Sequence, residues 1–191
     1  MSIVYFTDCK GRARLPNEPV QKMEEKEFKQ RKQVHLKGFN YSSNENVFFI
    51  TICTFEKKPY FFDHDICKVI LSELDYRRTQ KEINLFCYCL MPDHLHMLIS
   101  LEKDYTAKIV AFGERTLQNW VSTFKRYTSR IGKQMYNIDH FWQKNFYDHI
   151  IRSDESLLEI CQYILNNPVR KGIVSTWEEY PYSKIMDPLP L

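Results

Sequence analysis

Hydrophobic and polar positions change rhythm along this chain. Up to about residue 40 the charges are freely mixed, as in KMEEKEFKQRKQ, with little apolar period, which predicts an arm. From Val47 onward aromatic and β-branched residues dominate. NVFFITICTF predicts a strand, DICKVILSELDYRRTQK a helix, INLFCYCL a strand and, after the polar MPD turn, HLHMLISL another strand. The stretch TAKIVAFGERTLQNWVSTFKRYTSRIGK predicts mostly helix and FYDHIIR a short strand. SDESLLEICQYILNN then predicts a helix capped by Ser153, with two acids in its first turn. Pro168 forces its predecessor out of the α region, so this helix is expected to end at Asn167. The tail WEEYPYSKIMDPLPL reads as an irregular cover.

The resulting order, β-α-β-β-α-β-α, predicts an α+β fold: a ferredoxin-like split βαβ sandwich with a central antiparallel sheet and one added C-terminal helix. In that arrangement the third strand lies inside the sheet. The expected organisation is an arm over 1–40, one domain over 41–175 and a tail over 176–191. Composition changes little. With 191 residues and 43% hydrophobic content the chain can bury one proper core. Lys+Arg 27 against Asp+Glu 24 leaves +3, so any site for a polyanion must come from local clustering. Six cysteines without a C-x-x-C pair fit a reduced protein. MSIVYFTDCKGR lacks a signal-like apolar run and no segment approaches the ~18 apolar residues of a membrane span, so a cytoplasmic location without a membrane partner is expected.

Side chains alternate along a strand, so His94 and His96 point to one face while Leu95 faces the other, and two imidazoles can share one ion. Two histidines making ordinary hydrogen bonds at a strand edge give the same pattern. On the last helix Leu157, Leu158, Cys161, Ile164 and Leu165 mark the buried stripe, and Tyr163 lies about half a turn from its centre. Asn167 follows one turn later, so the Tyr163 hydroxyl and an amide oxygen can face one cleft. A surface tyrosine and a helix-end asparagine fit the same spacing. Tyr147, two residues from His149, is a competing pair. Lys125, Arg126, Arg130 and Lys133 around Tyr127 suit phosphate contacts with a stacking ring, or an ordinary basic helix face. His149 and Arg152 either touch DNA phosphate or brace the sheet. Trp142 and Phe146 read as core before they read as base-stacking rings. In the arm, Arg12, Arg14, Arg31 and Lys32 are interrupted by Glu24, Glu25 and Glu27, which argues against a DNA-binding tail.

Four ordered blocks carry a resemblance: HLKGFNYSSNENVFFITICTF, MPDHLHMLISL, FWQKNFYDHIIR and YILNNPVRKGIV, from about His35 to Val174. On these residues the chain resembles the REP-associated tyrosine transposases, small single-tyrosine transposases of the HUH class. The resemblance implies His94 and His96 as a metal-binding histidine pair, Tyr163 as the nucleophile on the added helix, and Asn167 as an amide ligand. It also implies cleavage of single-stranded DNA beside hairpin or palindromic elements, with a 5′-phosphotyrosine and a free 3′-hydroxyl. The protein would act as monomer or homodimer.

A tyrosine hydroxyl with a pKa of about 10 is a weak nucleophile at neutral pH and needs help to attack a phosphodiester. Mg²⁺ or Mn²⁺ on two imidazoles and an amide oxygen would supply it; mixed nitrogen and oxygen ligands favour Mn²⁺, cellular supply Mg²⁺. Two rivals stand beside this reading. A non-catalytic nucleic-acid-binding relative would share the ferredoxin-like sheet of RNA-binding domains, but no segment matches the RNP1 pattern. A zinc hydrolase would need a third His, Cys or carboxylate, and none stands at familiar spacing.

Overall fold

The computed structural model describes residues 6–7, 13–14, 45–107, 115–152 and 155–190. The chain divides into two units, Met1–Lys32 and Gln33–Leu191. In the first, Phe6–Thr7 pairs antiparallel with Ala13–Arg14. Arg12, Arg31, Lys32 and the three arm glutamates lie outside the described residues.

The second unit is built on five antiparallel strands: β1 (Val47–Cys53), β2 (Ile83–Met91), β3 (His94–Leu101), β4 (Tyr147–Ile150) and β5 (Ser183–Ile185). Their spatial order is β4-β1-β3-β2-β5. Strands β1 and β2 thus run parallel with β3 between them, which is the split βαβ arrangement expected, and β3 is central. Helices α1 (His64–Thr79) and α2 (Leu117–Tyr136) make the crossovers, and α3 (Leu157–Leu165) comes after β4. Helix α1 starts where the Asp63 carboxylate accepts the Asp65 and Ile66 amides, and α2 starts on the Thr116 hydroxyl.

Alternation divides the core in two. Phe48, Ile50 and Ile52 of β1 and Leu95, Met97 and Ile99 of β3 pack under α1 and α2. Val47 and Phe49 of β1, with Leu98 of β3, pack on the opposite face under α3. A register shift between Leu85 and Cys87 inserts one extra residue into β2, so Phe86 and Cys87 both serve the α3 side. The α1–α2 layer is tied by a buried ion pair, Arg77 Nε to Glu73 Oε1 at 2.6 Å, with Arg77 also donating to Thr123 Oγ1 at 2.8 Å.

Three expectations are corrected. Helix α3 begins at Leu157 on the hydroxyl of Ser156, and Ser153 lies outside the described residues. It ends at Leu165; the chain turns at Asn166 and restarts as a single helical turn, α4 (Asn167–Arg170), with Pro168 inside its first turn, where a missing N–H costs nothing. The tail is no irregular cover. Its strand β5 pairs with β2, Tyr180 donates its hydroxyl to Leu90 O at 2.9 Å, and Asp187 is clamped by Arg78.

That clamp yields a pH prediction. Arg78 Nε lies 2.9 Å from Asp187 Oδ1 and its Nη2 2.5 Å, while Oδ2 accepts the Leu85 amide at 2.8 Å. Burial alone would push the Asp187 carboxyl up, but Arg78 and that amide outweigh it and hold the carboxyl below its ordinary 3.8. A depressed carboxyl contributes stability above its unfolded pKa and loses it as pH falls through the folded one. Asp187→Asn should therefore cost about 1–3 kcal/mol at neutral pH. The gap from the parent protein, followed by thermal melting, should narrow progressively as the pH falls below about 4; a gap that does not narrow at all as the pH is lowered from neutral would show that the charge is irrelevant.

Candidate active site

Strand β3 sends His94 and His96 to the α3 face, where Cys53 and Thr51 of β1 pair with them. His96 is buried and His94 half-buried. Their rings stand edge to face, centroids 4.4 Å apart, and both Nε2 atoms converge at 3.0 Å. The outer nitrogens are occupied: His94 Nδ1 by the Asp93 carboxylate at 2.5 Å, His96 Nδ1 by the Thr51 hydroxyl at 2.8 Å. Asp93 can only accept, so His94 carries its proton on Nδ1 and turns the Nε2 lone pair inward. Burial lowers the His94 pKa against the opposing pull of Asp93, with Lys57 and Lys171 adding to the drop. His96 falls further, through burial first, then His94 and Arg170. Two neutral imidazoles with converging nitrogens are what a cation requires of its ligands.

The spacing fits as well. A cation about 2.1 Å from each nitrogen, with roughly a right angle between the bonds, sets the nitrogens about 3.0 Å apart. Among the described residues no group of three His, Cys, Asp or Glu is placed to hold a metal. An amide oxygen is a donor of another type that could serve beside the two imidazoles. Asn167 is buried at the start of α4 and donates its side-chain nitrogen to Tyr163 O at 2.9 Å and Ile164 O at 3.1 Å. The amide oxygen is the end left for a cation. The restart of the helix at Asn167 therefore orients this side chain by capping α3.

Tyr163 is half-buried at the margin of the α3 contact. The stripe that seats the helix is Ile160, Cys161, Ile164 and Leu165; Leu158, expected in it, is exposed and Leu157 only partly covered. One phenyl ring, Phe49, stands between Tyr163 and His96, with centroids 6.0 Å from the former and 5.4 Å from the latter. One chain thus gathers the histidines, the tyrosine and the amide on one face.

The other candidates are divided. Tyr147 and His149 pair with Thr51 and Phe49, so both lie on the histidine face, Tyr147 exposed and one strand beyond Thr51. His149 Nε2 is bonded to Glu155 Oε1 at 2.7 Å, and the same carboxylate accepts the Arg152 main-chain amide, so His149 braces the end of β4 while the Arg152 side chain is exposed. Lys125, Arg126 and Arg130 ride on α2, which covers the opposite face. Arg126 and Arg130 are exposed, Arg130 lying 5.2 Å from the Tyr127 ring centroid. Lys125 is differently employed: its ammonium donates to the carbonyls of Gln143 at 2.5 Å, Lys144 at 2.9 Å and Asn145 at 3.4 Å. Burial brings its pKa down to about 8. Trp142 and Phe146 are buried in the core.

The chain matches the family model described as "Transposase IS200 like" over residues 42–167. The protein belongs to that family. The chain is 30% identical over 161 residues to an uncharacterised protein of Haemophilus influenzae, an alignment covering 73% of the chain and 88% of that relative. It is 26% identical over 105 residues to the REP-associated tyrosine transposase of Escherichia coli K12, covering 53% of each, so the match spans about half the length of that relative. A solved REP-associated tyrosine transposase bound to a REP hairpin shares its fold, with TM-score 0.59 at 17% identity over 78% of this chain and 82% of that one. Among the described residues no helix is long and apolar enough to cross a membrane.

Sequence reasoning missed Thr51, Phe49 and Asp93 as supports of the site. Asp93 stands beside His94 in MPDHLH and was visible; Thr51 and Phe49 needed the β1–β3 register. The Asp93 bond is directly testable. Nitrogen-15 NMR of the imidazoles near neutral pH should show neutral His94 with its proton on Nδ1, and Asp93→Ala should abolish that preference. A parent His94 protonated on Nε2 would contradict the geometry.

Proposed function

We propose that this protein cleaves and rejoins single-stranded DNA next to hairpin-forming sequences through a covalent bond to Tyr163, assisted by a divalent ion on His94, His96 and Asn167. The observation that carries this reading is the convergence of the two Nε2 atoms one phenyl ring away from Tyr163, within one chain. Membership of the IS200-like transposase family supports it, and the solved relative bound to a REP hairpin suggests the class of DNA.

In the proposed reaction the Tyr163 oxygen attacks the phosphorus, the bond from phosphorus to the 3′-oxygen breaks, and the tyrosine proton leaves. The products are a 5′-phosphotyrosine and a free 3′-hydroxyl. Attack by a 3′-hydroxyl reverses the step and releases the tyrosine. Mg²⁺ or Mn²⁺ bound at the histidines and Asn167 supplies Lewis-acid stabilisation of charge at the phosphate oxygens. Asp93 and Thr51 fix both imidazoles, and the pinned side-chain nitrogen of Asn167 aims its oxygen, so the ligands are set before DNA arrives. Phe49 seats Tyr163 by an edge contact and shields one flank of His96 from water. Tyr163 serves its own chain's histidines in this reading, so one subunit suffices.

With Mn²⁺ and a hairpin-bearing single strand, the parent protein should form a DNA adduct on a denaturing gel and Tyr163→Phe should form none. If Tyr163→Phe forms it while Tyr147→Phe does not, the nucleophile is Tyr147. DNA binding without any adduct under these conditions would favour a non-catalytic relative, and hydrolysis without an adduct a metal hydrolase.

Mn²⁺ titration separates the metal from the chemistry. His96→Ala should abolish tight binding, and Asp93→Ala should weaken it about 10- to 100-fold; unchanged affinity in His96→Ala would remove the histidines as ligands. Mixing His96→Ala with Tyr163→Phe should restore no cleavage, and restored cleavage would show that the tyrosine works on a partner's histidines.

A further inference from the structure

Three cations surround the histidine pair, and no carboxylate among the described residues pairs with any of them. Arg170, at the end of α4, holds its guanidinium 4.6 Å from the Tyr163 ring centroid and lies near enough to His96 to disfavour its protonation. Lys57 lies in the turn that Thr54 ties to Asp93, and Lys171 caps the helical turn that ends at Arg170; both charges disfavour protonation of His94. All three are exposed. Several basic side chains elsewhere are neutralised, Arg77 by Glu73, Arg78 by Asp187, Lys68 by Asp65 and Lys133 by Asp139, while others, such as Arg126 and Arg130 on α2, have no ion pair among the described residues. Against the single Asp93 carboxylate on His94, three cations around two neutral imidazoles leave a net positive field in a protein whose net charge is only +3.

The Lys57 position is held against its local preference. Glu56 and Lys57 both take φ 53°, a left-handed conformation that side-chain-bearing residues avoid. Buried Thr54 fixes this turn to the turn before β3: its hydroxyl lies 2.7 Å from Lys58 O and 2.9 Å from Asp93 O, and its amide donates to Asp93 O. The turn carrying Lys57 and the turn carrying Asp93 and His94 therefore move as one piece. On the other side Arg170 closes the short helical segment that Asn167 opens and Lys171 caps it, so the helix restart that aims the amide also places both cations.

We infer that Lys57, Arg170 and Lys171 form a phosphodiester clamp around the histidine pair, with Arg170 on the scissile phosphate beside Tyr163 and the two lysines on the strand at the His94 end. The clamp rests on the proposed transposase reading for the fate of that phosphate. Its ligand is the backbone of single-stranded DNA, gripped without regard to base. Arg170 is in this assignment a catalytic residue, because it touches the reacting phosphate and offsets charge that builds there during transfer. Stacking on the Tyr163 ring keeps the guanidinium extended toward the phosphate.

The clamp can be judged without chemistry. In full-length Tyr163→Phe protein with EDTA, a fluorescent single-stranded oligonucleotide is titrated at several KCl concentrations. Adding Arg170→Gln or Lys57→Gln should weaken binding about three- to tenfold at about 0.1 M KCl and flatten the log–log salt slope by about 0.7 each. Lys68→Gln, on the opposite face of the sheet, should leave the slope alone. With Tyr163 restored and Mn²⁺ present, Arg170→Gln should slow single-turnover cleavage about 100-fold or more. Arg170→Lys, which keeps the charge, should recover part of it. Melting curves matched to the parent confirm that each variant is folded. Unchanged slopes in both Arg170→Gln and Lys57→Gln overturn the clamp. If Tyr163→Phe still forms the DNA adduct, the choice of Tyr163 as nucleophile fails, and if the parent protein forms none the transposase reading fails; in either case the salt slopes still decide the clamp.

Discussion

Strand β3 is hydrogen-bonded on both sides, to β1 and to β2, and everything else in the site depends on that confinement. A strand held by two neighbours cannot rotate or slip by one residue without turning its whole apolar set to the wrong layer. Leu95, Met97 and Ile99 are committed to the layer under α1 and α2. His94 and His96 are consequently committed to the other, where the side chains on the flanking strand are Thr51 and Phe49. The hydrophobic core thus offsets the cost of a polar pair at the centre of a sheet. A similar pair on an edge strand would have water on one flank and freedom to splay.

Much of this was legible in the chain. The periodicity of HLHMLISL places both histidines on one face whatever the fold, and the order of elements identifies β3 as an inner strand. Tyr163 and Asn167 at a helical interval were readable, and so was the MPD turn that delivers Asp93. The resemblance in YILNNPVRKGIV supplied roles that spacing alone left open between a nucleophile and a surface tyrosine. The illegible part depends on register and on distant partners. Nothing local says that Thr51 lies opposite His96, or that Lys125 commits its ammonium to three carbonyls some twenty residues away. Nor could the sequence of the basic stretch of α2 reveal that this helix covers the face of the sheet opposite the histidines.

The end of α3 shows a different kind of limit. Pro168 predicts an interruption correctly, since the preceding residue is pushed out of the α region. It does not predict the restart. Here the chain turns at Asn166 and resumes a helix at once, with the proline tolerated in the first turn of α4. A helix that simply stopped at Asn167 would leave that side chain free to rotate into solvent. The restart instead commits its nitrogen to the carbonyls of Tyr163 and Ile164, which sets the oxygen's direction.

The electrostatics are set by the packing in turn. Burial keeps both imidazoles neutral, and the nearby cations reinforce that state, so the site presents lone pairs inward and positive charge at its rim. For a cation ligand set alone this would be a poor design, because the rim repels the ion that the nitrogens attract. On the proposed reading the conflict resolves, because the ligand would be an anion and a cation together, a phosphodiester with its metal: each rim cation would meet a phosphate oxygen and the metal the nitrogens. A rim that disfavours the bare ion while favouring the ion with DNA would tie metal affinity to substrate, by the reciprocity that couples any two ligands sharing one field.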